Sequence, residues 1–369
     1  MNRVFLPILC LFTASFQSNA QDSIVISFLF GGDVMTHETQ IFSTYDSKTN
    51  TFDYSTWFHH IKDIVSEVDV AIVNLETTLA GKPYSGYPRF SGPDTVAYEL
   101  RQAGFDVIAT ANNHSCDRGK KGIVRTIEQL ERFGLTHVGT YRDSNEHLNE
   151  FPLILEVKGA KIALLNYTYG TNGLPIPKPT VVNLIDTTQI AKDIKKARQS
   201  GAEFIIIFMH AGKEYVQELS RHQKMVVEVG KRYGVDLIVG AHPHVVQKID
   251  TIPIEWQGHN KTLLVAYSLG NLISNQRFKF TDGGILLRVD IKKVGEHWKL
   301  YRAKYIHTWV YIEKSNGKKR YWVVPAEKII SGEVKIPETD YNKFYKTYQH
   351  NELILESSPL KQEFRYFTN

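Results

Sequence analysis

The segment AHPHVVQ, residues 241–247, sets His242 and His244 two apart directly after the apolar run DLIVG. If the strand runs on through them, its alternating faces turn both imidazoles the same way, and they can converge on one metal ion. Taken alone, such a pair is more often two ordinary surface or core histidines. Other strand ends supply the company it needs. FGGDVMTHE presents Asp33 after two glycines, where a missing Cβ lets the backbone approach a bound ion or phosphate. That carboxylate can ligate one metal or bridge two, or it can cap the next helix. VNLETTLAG offers Glu76 as a second anionic ligand, with Asn74 as a hydrogen bonder behind it. FMHAGKEY adds His210 after the run FIIIF. His37 lies close to Asp33 in the chain and could add an imidazole, although a role outside the ligand set suits it better.

ATANNHSCDRG is the richest stretch. Asn113 carries a hard, neutral carbonyl that can complete a metal shell without adding charge. His114 then projects beside the metal, where an imidazolium can protonate a leaving oxygen and steady a transferring phosphoryl group, and Asp117 can orient it. Cys116, between them, reads as a packed side chain. Neutral imidazoles with carboxylates and an amide suit Zn, Mn or Fe, and the lack of thiolates argues against a structural zinc site. Together these residues can hold two divalent ions.

Positioning them requires a framework. Apolar, β-branched runs predict strands over 23–30, 69–75, 105–111, 161–167, 203–209, 235–241 and 262–269. Stretches with helical spacing lie between many of them, such as WFHHIKDIVSEV, GIVRTIEQLERFG, TTQIAKDIKKARQSG and HQKMVVEVGKRYG, most ending in Gly. Strands separated by helices predict an α/β protein with helices layered on sheet. The candidate ligands fall at or just past the carboxyl ends of strands, the edge where α/β sheets bind ligands. After residue 295 the chain turns aromatic and basic, with Asn316-Gly317 between β-rich runs as a hairpin signal and a helix expected from 338.

The bulk composition, 42% hydrophobic and 22% charged, excludes a disordered or membrane-embedded chain. A formal net charge of +5 gives no reason to expect a nucleic-acid partner. Arg3, the apolar VFLPILCLF and the small residues Ser18 and Ala20 have the layout of a secretory signal cleaved after Ala20, so the protein is expected in the periplasm or outside the cell. The apolar run is too short for a permanent anchor, and bulky Leu9 before Cys10 argues against lipidation. Cleavage leaves Cys116 as the one cysteine, so no intrachain disulfide is possible. The expected division is a signal peptide over 1–20, a main domain over 21–295 and a C-terminal β-hairpin and helical extension over 296–369.

The ordered motifs GD, NLE, ANNHxxDxG, MHxG, GAHPH and YSLGN, from Phe30 to Asn271, resemble those of CapA-type bacterial capsule or poly-γ-glutamate biosynthesis proteins, a branch of the calcineurin-like metallophosphoesterases. The resemblance implies a sandwich of two β-sheets flanked by helices in four layers, with the C-terminal β-rich part as an addition. It implies a binuclear centre of divalent ions (Mn, Fe or Zn) on Asp33, Glu76, Asn113, His210, His242 and His244, with His114 as general acid and Asn271 lining the site. The wider superfamily begins with Asp-x-His, whereas the position two after Asp33 is Met35, and Glu76 stands where many relatives have Asp. The expected activity is that of an exported metal-dependent phosphoesterase-like hydrolase acting on an envelope polymer or a phosphoester, alongside a membrane-bound polymer synthesis complex. Two alternatives use the same fold: metal-assisted chemistry at an amide or peptide α-carbon of the polymer, and a non-catalytic polymer assembly subunit.

Overall fold

The computed structural model describes residues 24–315 and 317–356. The proposed signal at 1–20 lies outside them, and among the described residues no helix is long and apolar enough to cross a membrane. The chain opens with β1 (Val25–Val34), β2 (Val70–Leu75), β3 (Val107–Ala109) and β4 (Thr136–Val138), parallel neighbours in that order. It then builds a second sheet from β5 (Leu153–Val157), β6 (Ala160–Thr168), β7 (Phe204–His210), β8 (Leu237–Ala241), β9 (Ile249–Trp256) and β10 (His259–Ala266). Their spatial order is β9-β10-β8-β7-β6-β5. The last strands return to the first sheet: β11 (Asn271–Ile273) runs parallel to β1, and β12 (Gly283–Val294), β13 (His297–Ser315) and β14 (Lys318–Pro325) extend it antiparallel. The C-terminal hairpin is therefore a continuation of this sheet, with Ser315 paired to Lys318 across a two-residue connection.

The helices are α1 (Glu38–Thr44), α2 (Lys62–Ser66), α3 (Thr95–Ala103), α4 (Gly119–Arg132), α5 (Ser144–Glu150), α6 (Thr187–Gln199), α7 (Arg221–Tyr233), α8 (Ala326–Ile330) and α9 (Glu338–Glu356). The period-two rule of a strand explains how they are layered. Phe28 and Phe30 of β1 and Ile72 of β2 face the second sheet and pack in one core with Leu165, Phe208 and Val239. Their alternates, Leu29, Ala71 and Val73, face a separate core that includes Val65 of α2, Val96 and Leu100 of α3 and Leu130 of α4. On the far side of the second sheet, Ile190 and Ile194 of α6 and Val226 and Val229 of α7 are buried. Each such fully buried aromatic or branched side chain contributes about 2 kcal/mol. The outcome is helix, sheet, sheet, helix.

Local signals stop the helices as expected. α3 ends at Gly104 and α7 at Gly234, both left-handed caps, at φ +102° and +67°. Asp186 and Ser220 cap α6 and α7 by accepting first-turn backbone N–H groups. The helical spacing after Trp57 yields less than predicted: one turn over His59–Ile61 and the five-residue α2. The strand expected over 262–269 ends at Ala266, so YSLG becomes the loop leading into β11.

Candidate metal centre

The site lies where the carboxyl ends of β1, β2, β7 and β8 meet between the sheets. Gly32 is an extra residue in the β1–β2 pairing, because Gly31 opposes Val73 while Asp33 already opposes Asn74. Such a bulge re-aims the side chain that follows it. A Cβ on Gly32 would stand 1.9 Å from the Gly270 carbonyl oxygen, and the Asp33 N–H donates to that same oxygen at 3.1 Å. The glycine thus admits a neighbouring backbone, and the expectation that it makes room for an ion or phosphate is corrected. Asp33 is completely buried.

Asp33 is the hub. Its Oδ1 accepts from Asn74 Nδ2 at 2.7 Å, and its Oδ2 accepts from the His242 backbone N–H and lies 3.1 Å from His244 Nδ1. Burial alone would raise its pKa, but His244, His210 and Asn74 together hold it below the usual carboxylate value. Glu76, just past β2, is equally buried, with neither carboxylate oxygen hydrogen-bonded. Burial first, and the Asp33 charge second, push its pKa well above the ordinary value.

The imidazoles close around Glu76. His210 Nε2 lies 2.7 Å from Asn113 Oδ1 and 3.5 Å from Glu76 Oε1, and His210 Nδ1 is 3.2 Å from Asn74 Nδ2. Because Asn74 can only donate there, Nδ1 accepts and the proton belongs on Nε2, pointing at Asn113. Burial lowers the His210 pKa to about 3 and takes His242 well below its normal value, so both rings are neutral. His244 Nδ1 lies 3.0 Å from Asn271 Oδ1 and 3.9 Å from Glu76 Oε2. His242 Nδ1 is buried with no partner.

Two ligand groups emerge, one of Asp33, Glu76 and His210 and one of Glu76, His242 and His244, each with its ligand atoms within 4.8 Å of one another. Glu76 belongs to both, a bridging position the sequence reading left open. This donor set fits divalent ions: three buried ligand atoms lack any partner, His210 and His242 are neutral, and the carboxylates bring negative charge that a cation would offset.

His242 and His244 do not reach the cluster by strand pleating. β8 ends at Ala241, and both residues have left-handed backbones, with φ of +98° and +60°. Their rings, 5.8 Å apart, converge through a strained turn, a conformation that side-chain-bearing residues hold only where the surroundings enforce it.

The remaining predicted residues fall around this cluster. His114 Nδ1 is 2.7 Å from Asp117 Oδ2, which also accepts the Phe90 N–H at 2.7 Å, and the Phe90 ring stands edge-on to His114 at 4.6 Å. Asn271, bonded to His244, has its amide nitrogen held by Ser274, Gln276 and the Thr281 carbonyl. Cys116 is buried, and burial pushes its thiol up to about 11, which makes it a packing residue. His37 lies outside both ligand groups: it caps α1, bonds Gln40 and Asn275, and touches Phe90 edge-on at the rim. Met35, in the Asp-x-His position, is buried and offers no ligand atom for a hard ion.

Sequence reading passed over three residues. Asn112 donates to the Leu75 carbonyl and accepts from the His114 N–H, locking the turn. The Tyr169 ring lies tilted against His242, their centroids 4.6 Å apart, and Tyr215 lies 5.8 Å from His244. Tyr169 follows β6 directly, so the strand-end rule that found the ligands would have found it, had the search included aromatic side chains.

Two stacked sheets between helical layers, with carboxylate, amide and imidazole donors at one rim, define a metallophosphoesterase-like α/β sandwich. The chain belongs to the bacterial capsule synthesis protein family PGA_cap, whose profile matches residues 27–276. It is 25% identical over 279 residues to the capsule biosynthesis protein CapA of Bacillus anthracis, covering 72% of this chain and 63% of that one. It is 27% identical over 197 residues to the PGA biosynthesis protein CapA of Bacillus subtilis strain 168, covering 53% and 50%. The matches thus span about half to two-thirds of the length of these curated relatives. Among solved structures, the NAD nucleotidase NadN of Haemophilus influenzae superposes with a TM-score of 0.50 at 15% identity, covering 89% of this chain and 63% of that one. That likeness shows the shared fold.

Proposed function

We propose that this protein is an exported, divalent-metal-dependent hydrolase of the phosphoesterase type that serves the synthesis of a capsule or another envelope polymer. One observation carries the reading: both Glu76 oxygens and His242 Nδ1 are buried without partners, at the meeting point of two three-residue ligand groups. Burying such atoms unpaired costs about 1–3 kcal/mol each, a cost that bound cations would offset. Asp33, Glu76, His210 and Asn113 would hold one ion, and Glu76, His242 and His244 the other. Bound there, the ions would polarise a phosphoryl oxygen and lower the pKa of a water.

The chain's own residues supply the rest. Asp117 accepts the Nδ1–H of His114 and fixes the ring, so that its imidazolium form can pass the Nε2 proton to the departing oxygen and return to neutral imidazole. Phe90 braces that ring from the side, and its backbone N–H holds the Asp117 carboxylate. Asn74 and Asn271 orient Asp33 and His244. The role in capsule synthesis is supported by family membership and by the two CapA relatives.

The test is metal analysis of purified protein together with hydrolysis of phosphomonoester and phosphodiester probes in Mn²⁺. Bound metal, and turnover lost in Asp33→Asn and His242→Ala, is the expected result. Protein that binds no divalent ion, or turnover that survives both changes, overturns it. Met35 in place of a histidine favours a second reading, a polymer assembly subunit that keeps the fold without turnover. Full capsule in cells carrying Asp33→Asn would select that reading.

A further inference from the structure

His137, the middle residue of β4, is 7% exposed, and its Nε2 is buried with no hydrogen-bond partner. The ring bonds the Thr140 backbone, and since Nε2 is unpaired that bond belongs to Nδ1. The bond favours the protonated ring, so it is an N–H donated to the Thr140 carbonyl. Burial outweighs it and lowers the pKa of the ring, which is neutral. The tautomer is thereby set: Nε2 carries a lone pair, the arrangement in which an imidazole binds a metal.

A nitrogen of this ring and one carboxylate oxygen each from Glu146 and Glu150 of α5 lie within 4.8 Å of one another. Arg142 is the cation at hand, and it pairs with Glu146 and with Glu131 of α4. Three carboxylates thus share one guanidinium. The excess is felt at Glu150, whose carboxyl is raised by burial first and then by Glu146 and Glu131, against the opposite pull of Arg142. Both Glu146 oxygens accept from Arg142, yet each keeps a second lone pair for an ion.

The spacing suits a small cation. Ligand atoms about 2.1 Å from a zinc ion stand about 3.4 Å apart, so the three need close by at most about 1.4 Å, a movement the exposed Glu150 can supply. One imidazole with two carboxylates selects zinc-type ions over Ca²⁺ and Mg²⁺, which prefer shells of oxygen alone.

What such an ion would do follows from α5, which buries none of its side chains. Polar contacts hold it: Lys196 Nζ donates to the Leu148 carbonyl at 2.6 Å, and His147 Nε2 lies 3.0 Å from Asn183 Oδ1. β4 is three residues long and forms the edge of the first sheet, and the chain runs from α5 straight into β5 of the second. We propose that His137, Glu146 and Glu150 hold a zinc-type divalent ion that staples α5 to the edge of the first sheet. The site shares no ligand with the Asp33 cluster and is independent of any hydrolysis there.

Zinc also suits the Asp33 centre, so the test uses variants made on a chain carrying Asp33→Asn with His242→Ala. Zinc chloride is titrated by calorimetry, bound metal is counted by mass spectrometry, and amide hydrogen exchange across α5 is followed with and without zinc. Adding His137→Gln should lower the count by one ion per chain. Adding Glu150→Gln, at an exposed position, should weaken that ion about tenfold or more, whereas Glu156→Gln, an exposed carboxylate of β5, should change nothing. Zinc should slow exchange across α5, and His137→Gln should abolish the slowing. Zinc count and affinity that survive both His137→Gln and Glu150→Gln in folded protein, or zinc that leaves exchange across α5 unaltered, overturns the proposal. Because the Asp33 centre is disabled throughout, a failed hydrolase reading leaves this one standing, and a failed staple leaves that one standing.

Discussion

Glu76→Gln should change the sign of its effect with metal. The substitution keeps the shape of the side chain and removes the charge from a wholly buried group whose oxygens have no partner. A carboxyl whose folded pKa is raised binds its proton more tightly in the folded chain than in the unfolded one. Metal-free protein therefore loses stability as pH climbs from the ordinary value of 4.5 toward the folded value. Glutamine escapes that loss. In EDTA at neutral pH the variant should be more stable than the parent by about 2 kcal/mol, the scale of a buried unsatisfied polar group. That corresponds to a rise in Tm of about 3 °C, and the gap should close as pH falls toward 4.5. Adding metal should invert the order. Glu76 is common to both ligand groups, so its loss should weaken divalent affinity by about 100-fold or more. At a fixed excess of ion the stabilisation by binding then shrinks by about 2.7 kcal/mol. Scanning calorimetry in EDTA and in Mn²⁺, at neutral and at mildly acidic pH, reads both halves. A variant less stable than the parent in EDTA, yet equally stabilised by Mn²⁺, would refute the reasoning.

Asp117→Asn should lower kcat by about 100-fold with little change in KM, since Asp117 acts by positioning His114; steady-state kinetics with the melting temperature as a folding control would show this, and an unchanged kcat would remove His114 from the reaction. Gly32→Ala should cost about 1–3 kcal/mol and reduce metal content, because its Cβ would be driven into the Gly270 carbonyl and shift Asp33; denaturant melts and metal analysis check both. Asp69 accepts from the Ser27 N–H at 2.9 Å and hydroxyl at 3.0 Å and pairs with Lys158 at 2.7 Å. Burial pushes its carboxyl up, but Lys158 and Ser27 outweigh that and hold it below 3.8. Its contribution is therefore present above the ordinary value and lost as pH falls through the lower folded one. Asp69→Asn should cost about 1 kcal/mol at neutral pH, with the two chains converging in strong acid, as urea melts across pH would report.

Much of the centre was legible from local pattern. Buried strands announce themselves by apolar runs, and each one fixes where its own carboxyl end lies. The metal-type residues at those ends, Asp33, Glu76, Asn113, His210, His242 and His244, are found without knowing how the strands pair. Gly104 and Gly234, and the caps Asp186 and Ser220, are likewise local, because a helix end needs only the residues beside it.

What the tertiary structure alone decided depends on partners distant in the chain. The bulge at Gly32 answers to a carbonyl more than two hundred residues away, and the turn that swings His242 and His244 inward is held by Asp33 through the His242 N–H. No periodicity in AHPHVVQ encodes that left-handed backbone; strand alternation gave convergence for the wrong reason. Glu76 becomes the shared ligand only when the two sheets stack. Pairing register and sheet stacking are collective choices, set by the burial of cores that many segments share, and no single stretch of sequence carries them.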